Sequence, residues 1–151
     1  MPAWKWIDIP PVWLVGFCTL CWLQARHVPF GPSSGTLATL LGLALAAAGA
    51  ALAVLAVREM QRQNTTPVPH QRASALVMTG VFQHSRNPIY LGDLLILGGV
   101  ALILGTWPAL VLVPVFHWVL TTRFIQPEEE GLRHTFGDAF EAYAARVRRW
   151  A

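Results

Sequence analysis

A chain of 151 residues that is 54% hydrophobic and 13% charged, with a mean hydropathy of +0.46, lies well to the apolar side of soluble domains. Residues 37–57 and 94–122 carry no charged side chain, and so short a chain has no core able to bury both, which excludes an ordinary soluble globule. The net charge of +3 and pI of about 9.4 follow from arginines gathered on one side of the expected membrane and call for no nucleic-acid partner.

Backbone that crosses lipid must satisfy its own hydrogen bonds, and these runs lack the alternation of barrel strands, so an all-α integral membrane fold is expected. Four transmembrane helices are predicted in chain order. The first covers about residues 11–23, behind Trp4, Lys5, Trp6, Asp8 and the Pro10-Pro11 pair, which suit an interface anchor better than a cleaved leader. Cys18 and Cys21 fall inside it as small packing residues, and no metal site is expected. The second, about residues 37–57, carries Gly42, Ala46, Gly49, Ala50 and Ala53, a small-residue surface for close helix contact within the chain. The third and fourth, about residues 89–104 and 108–124, form a tight hairpin broken at Gly105-Thr106-Trp107, with Pro114 bending the fourth.

After Pro127, Leu132, Phe136, Phe140, Tyr143, Val147 and Trp150 recur at spacings of three and four, predicting a C-terminal amphipathic cytoplasmic helix with a break or hinge at Gly137. Lys5, Arg58, Arg62, Arg72, Arg86, Arg123, Arg133 and the arginines at 146, 148 and 149 then share one face, with Arg26 opposite. Both termini are therefore expected to be cytoplasmic, in one membrane domain spanning residues 1–151.

Two polar clusters bracket the hairpin. In the first, residues 80–93, Asn87 is a good N-cap and Pro88 suits the first helical position, so free backbone N–H groups beside Arg86 would form a site for a carboxylate. In the second, Glu128, Glu129 and Glu130 follow Pro127 in what reads as the first turn of the tail helix, where the helix dipole stabilises acids with or without a ligand.

The series Gly80-x-Phe82-x-x-Ser85-Arg86-Asn87-Pro88-x-Tyr90-x-Gly92, then Glu128-Glu129-x-x-Leu132-x-x-x-Phe136-Gly137 and Phe140-x-x-Tyr143-x-x-x-Val147, resembles the isoprenylcysteine carboxyl methyltransferases and their phospholipid methyltransferase relatives. The likeness covers residues 75–150. It implies a methyltransferase of the membrane, as in a prokaryote's cytoplasmic membrane, with a pocket for S-adenosyl-L-methionine on the cytoplasmic face and no dinucleotide-binding domain. By position in the motif, Leu76, Val77, Gly80 and Phe82 would lie along the adenosine, Arg86, Asn87, Pro88 and Tyr90 near its polar groups, and Glu128 and Glu129 would bind ribose hydroxyls or the ammonium. Asn87 stands where many relatives have His, and Phe82 and Phe140 where they have Tyr, which bears on the acceptor more than on the cofactor.

Methyl transfer from a sulfonium needs alignment and exclusion of water more than acid–base groups. The expected acceptor is a lipophilic, lipid or prenylated molecule, with carboxyl O-methylation as the first reading and Arg123 or Arg86 positioning the carboxylate. An amine acceptor, as in aminophospholipid N-methylation, would instead use Glu128, Glu129, His84 or His134 to take a proton. Asp93 either meets Arg86 or Arg123 or orients the acceptor, and His117 either lines the acceptor crevice or packs as a neutral ring. A sterol reductase-like core and a non-enzymatic membrane scaffold are the alternatives from other classes.

Overall fold

A computed structural model describes residues 7–28, 35–68 and 71–151; Trp4, Lys5, Trp6, Pro69 and His70 lie outside the described residues. The described chain is helical: α1 (Pro10–His27), α2 (Thr36–Arg62), a 3₁₀ turn (Gly80–Gln83), α3 (Pro88–Leu104), α4 (Trp107–Val119), a wide π turn (Leu120–Ile125), α5 (Gln126–Phe136) and α6 (Asp138–Arg146). Among the described residues, two helical stretches are long and apolar enough to cross a membrane, Thr36–Arg62 and Trp107–Phe136, while α3 is apolar but shorter.

Helices α2 and α3 run antiparallel at backbone contact, because each presents glycine where the other's carbonyl approaches. A Cβ on Gly42 would come 2.6 Å from the carbonyl oxygen of Gly99, and one on Gly92 the same distance from that of Gly49. Spacings of seven on both helices keep these contacts along one seam, as close helix association in lipid requires. On its other side α3 joins α1 and α4 in the main core, where Phe17, Cys21, Leu97, Ala101, Phe116 and Leu120 are buried. Phe17 and Phe116 meet with ring centroids 4.7 Å apart.

The hairpin turns where the sequence places it. Gly105 takes the left-handed conformation (φ 66°) and its N–H closes α3 on the carbonyls of Ala101 and Leu102, and Trp107-Pro108 then opens α4.

The tail departs from its predicted form. Pro127 does not open a separate helix; α4, the π turn and α5 make one continuous rod, Trp107–Phe136. A proline in an α-helix removes one N–H and crowds the carbonyl four residues back, here that of Arg123. The wider turn relieves this, with the N–H of Gln126 reaching the carbonyl of Thr121 five residues back. Glu128 and Glu129 therefore continue a helix, and the N-terminal dipole argument does not apply to them. From Trp107, 21 residues at about 1.5 Å each place Glu128 about 32 Å along the rod, against a hydrocarbon thickness of about 30 Å. Gly137 (φ 50°) breaks the rod, and α6 folds back toward the start of α3.

Candidate functional site

A cavity of about 440 Å³ opens where α2 ends, α3 begins and α5 continues α4. Its apolar wall includes Leu76, Val77 and Phe82; its polar wall includes Arg86, Asn87, Tyr90, Arg123, Glu128 and Glu129. Residues separated by the whole hairpin thus border one space. Gly80 and Pro88 are not in its walls: Gly80 takes a left-handed conformation (φ 60°) against Glu59, and Pro88 is buried at the start of α3. Glu59 also accepts from Thr79 and Gln63, tying the end of α2 to the 3₁₀ turn.

The two acids of the tail are held differently. Glu129, 6% exposed, receives Arg86 Nη2 at 2.9 Å and both Nε and Nη2 of Arg149, at 3.1 and 2.7 Å. Pairing with Glu129 raises the Arg149 guanidinium above its ordinary value. Glu128 instead accepts the Tyr90 hydroxyl at 2.9 Å. Arg86 keeps one buried donor, Nε, with no acceptor among the described residues, and its guanidinium lies 5.9 Å from the centre of the Phe140 ring.

The start of α3 is capped by the chain's own C-terminus rather than by a ligand. The Arg86 N–H donates to the carbonyl of Arg148 at 3.0 Å, and Asn87 Nδ2 to that of Arg149 at 2.9 Å. The Asn87 N–H is taken by the Ser85 hydroxyl, so Asn87 does not act as a side-chain N-cap and these two backbone donors are not free for a carboxylate. Tyr143 closes the same corner, its hydroxyl donating to the carbonyl of Phe82 at 2.7 Å. Burial pushes that phenol up to about 12, against the pull of Arg86, so it remains a neutral donor.

Arg123 lines the cavity and is gripped from the other side by Asp8, Nε to Oδ1 at 2.6 Å and Nη2 to Oδ2 at 3.0 Å, while Trp13 donates to the same carboxylate at 3.1 Å. Of the two histidine candidates, His134 lines the cavity and His84 is exposed outside it. His117 is exposed on α4 with Trp150 against it, ring centroids 4.5 Å apart, so it neither packs in the core nor borders the cavity.

The sequence reading did not foresee Arg149 or Asp8 at the site, nor Phe124, Leu132 and Thr135 in the cavity wall. Leu132 lies on the apolar stripe read from the tail, which is the signal that was present; Arg149 gave none.

Compared with protein families, residues 37–139 match the model for phospholipid methyltransferases. The chain belongs to that family. It is accordingly a membrane methyltransferase, and the matched stretch contains the seam, the hairpin and both acids of the tail. A comparison with curated proteins gives no match.

Proposed function

We propose that this methyltransferase moves a methyl group from S-adenosylmethionine to the polar head of a membrane lipid. The observation that carries the reading is the convergence of Arg86 and Tyr90 with Glu128 and Glu129 on one cavity at the end of the long rod. The cavity falls within the size range of sites for small ligands. Leu76, Val77 and Phe82 offer a flat apolar wall for an adenine, Glu128 an acceptor for ribose hydroxyls or an ammonium, and the orphaned Nε of Arg86 a donor for a carboxylate. S-adenosylmethionine supplies, when bound, a methyl carbon on a positively charged sulfur. What the chain contributes is orientation and dryness: Phe82, Phe140 and Tyr143 shut the cavity on one side, and Arg86, pinned by Glu129, cannot swing into water.

For the acceptor, an amine head gains support over the carboxylate placed first by the sequence. Arg86, Arg123 and Arg149 are each engaged by a carboxylate of the chain, and the family match is to phospholipid methyltransferases. With the cofactor bound, its sulfur would be the leaving group that keeps the electron pair of the carbon–sulfur bond, and the cavity walls would hold the amine in line with the methyl carbon. The amine sheds one proton, for which Glu128 and His134 stand in the cavity wall. Carboxyl O-methylation keeps one observation in its favour, the Arg123 side chain, 47% exposed at the cavity. With radiolabelled cofactor and membranes the two part cleanly, since mild base frees a carboxyl methyl ester as methanol and leaves an N-methyl group in place.

The donor site itself is tested at Glu128. Losing a charge-assisted hydrogen bond of about 2 kcal/mol weakens binding about 30-fold, so Glu128→Ala is expected to reduce S-adenosylhomocysteine affinity by at least that factor in a calorimetric titration. Unchanged affinity in that variant would remove Glu128 from the site.

A further inference from the structure

Among the described residues, one buried carboxyl group enters none of the pairs described so far. Asp93 lies three residues beyond Tyr90 on α3, is 6% exposed, and its Oδ2 is enclosed without a hydrogen-bond donor among the described residues. Neither arginine that the sequence offers it is bonded to it: Arg86 is paired with Glu129 and Arg123 with Asp8. A buried carboxyl oxygen left without a partner carries a penalty that a purely structural residue has no reason to retain.

Its surroundings say what would complete it. On the side toward the cavity is Tyr90, whose hydroxyl is bonded to Glu128. On the other side a shallow apolar groove runs between α1 and α3, lined by Leu14, Val15, Cys18, Thr19, Trp22 and Ile96; Ile96 is one turn from Asp93. Leu120 and Phe124, from the π turn, bring apolar surface to this core. Asp93 itself lines neither space, but it is enclosed between Tyr90, one turn before it in the wall of the polar cavity, and Ile96, one turn after it in the lipid-facing groove; an acid so placed fits an amphiphile with a hydrogen-bond-donating, cationic head and a hydrocarbon chain.

We propose that Asp93 binds the N–H donors of an amine-headed lipid, whose chain lies in the groove between α1 and α3, and so selects an amine over a hydroxyl or carboxylate acceptor. The assignment rests on the reading of the chain as a lipid methyltransferase and adds the residue that recognises the acceptor.

The test uses the full-length protein in detergent with a short-chain phosphatidylethanolamine, its phosphatidylglycerol counterpart, and two variants. Asp93→Asn keeps the shape and loses the charge; it is expected to raise KM for the amine lipid at least 30-fold while S-adenosylhomocysteine affinity stays within twofold, and Asp93→Glu should recover part of the loss. Independently of turnover, alkylation of Cys18 by N-ethylmaleimide in the wild-type chain should slow with the amine lipid and not with the hydroxyl lipid. Cys21, fully buried, serves as the unreactive background. An unaltered KM in Asp93→Asn overturns the proposal, as does equal protection of Cys18 by both lipids; should Asp93→Asn fail to fold, the protection experiment decides alone. Loss of S-adenosylhomocysteine binding in the wild-type chain would instead count against the donor site.

Discussion

Replacing Glu129 by alanine is expected to destabilise the protein by about 3 kcal/mol, the cost of stripping the partner from a buried guanidinium. Arg86, with 13% of its side chain exposed, would be left charged in an apolar corner, whereas Arg149, at 37%, can turn to solvent and adds less. The loss extends beyond the ion pair. Glu129 fixes the side chains of Arg86 and Arg149, and the backbone beside each of them is joined by the bonds from Arg86 to Arg148 and from Asn87 to Arg149. Glu129→Ala should therefore unfold at lower temperature and expose the C-terminal residues to carboxypeptidase, while Glu128→Ala, which takes the acceptor from the Tyr90 hydroxyl, should lower the unfolding temperature less. Equal melting temperatures for Glu129→Ala and the wild type would mean that the double grip on Glu129 contributes nothing to folding. The two neighbouring acids, indistinguishable as a motif, are thus expected to separate by experiment into one that holds the fold and one that meets the donor.

The second large effect is expected at the seam between α2 and α3. A side chain at Gly49 would fall on the carbonyl oxygen of Gly92 and within 3.0 Å of both Ile96 Cγ1 and Leu95 Cβ. Backbone cannot yield as a flexible side chain does, so Gly49→Val must push the helices apart along their closest stretch. Overpacking of this kind costs about 1–3 kcal/mol in soluble cores and sometimes more; here it also displaces the first turns of α3, which carry Tyr90 in the cavity wall. The expected outcome is a large fall in the yield of monodisperse protein after detergent extraction. Gly98 is the control, because a Cβ there meets nothing within 4 Å, and Gly98→Ala should purify like the wild type. Equal behaviour of the two variants would contradict the close approach of these helices.

How much of this was legible in the sequence depended on whether the signal was local. The hairpin was, because Gly105 followed by Thr106, Trp107 and Pro108 is a complete stop and start within four residues, and α3 runs Pro88–Leu104 as the pattern indicates. The small-residue face of α2 was legible as a contact surface, though not its partner. Helix ends set by polar residues were less so: α1 continues to His27 and α2 to Arg62, past the apolar runs, because Gln24, Glu59 and Arg62 find local partners and let the helix continue into the polar margin. Pro127 misled for a physical reason, since proline marks a helix start unless a wider turn before it absorbs the missing bond. Within the site, the motif residues that border the cavity come from four places: Phe82 from the 3₁₀ turn, Arg86, Asn87 and Tyr90 from the start of α3 and the residues just before it, Glu128, Glu129 and Leu132 from α5, and Phe140 and Tyr143 from α6. Asp8 with Arg123, and Arg149 with Glu129, were invisible, because each pair depends on a return of the chain that no local pattern encodes.

The uninterrupted rod has a consequence for where the chemistry can occur. Because one continuous helical run has Trp107 at its start and Glu128 about 32 Å along it, the height of the cavity relative to the lipid tails follows the mismatch between that length and the hydrocarbon thickness, and a thicker bilayer draws the cavity below the level where lipid heads reside. Turnover reconstituted in phosphatidylcholines of increasing acyl length should pass through an optimum and fall on either side, so that the membrane's own thickness acts as a tuning variable for the enzyme.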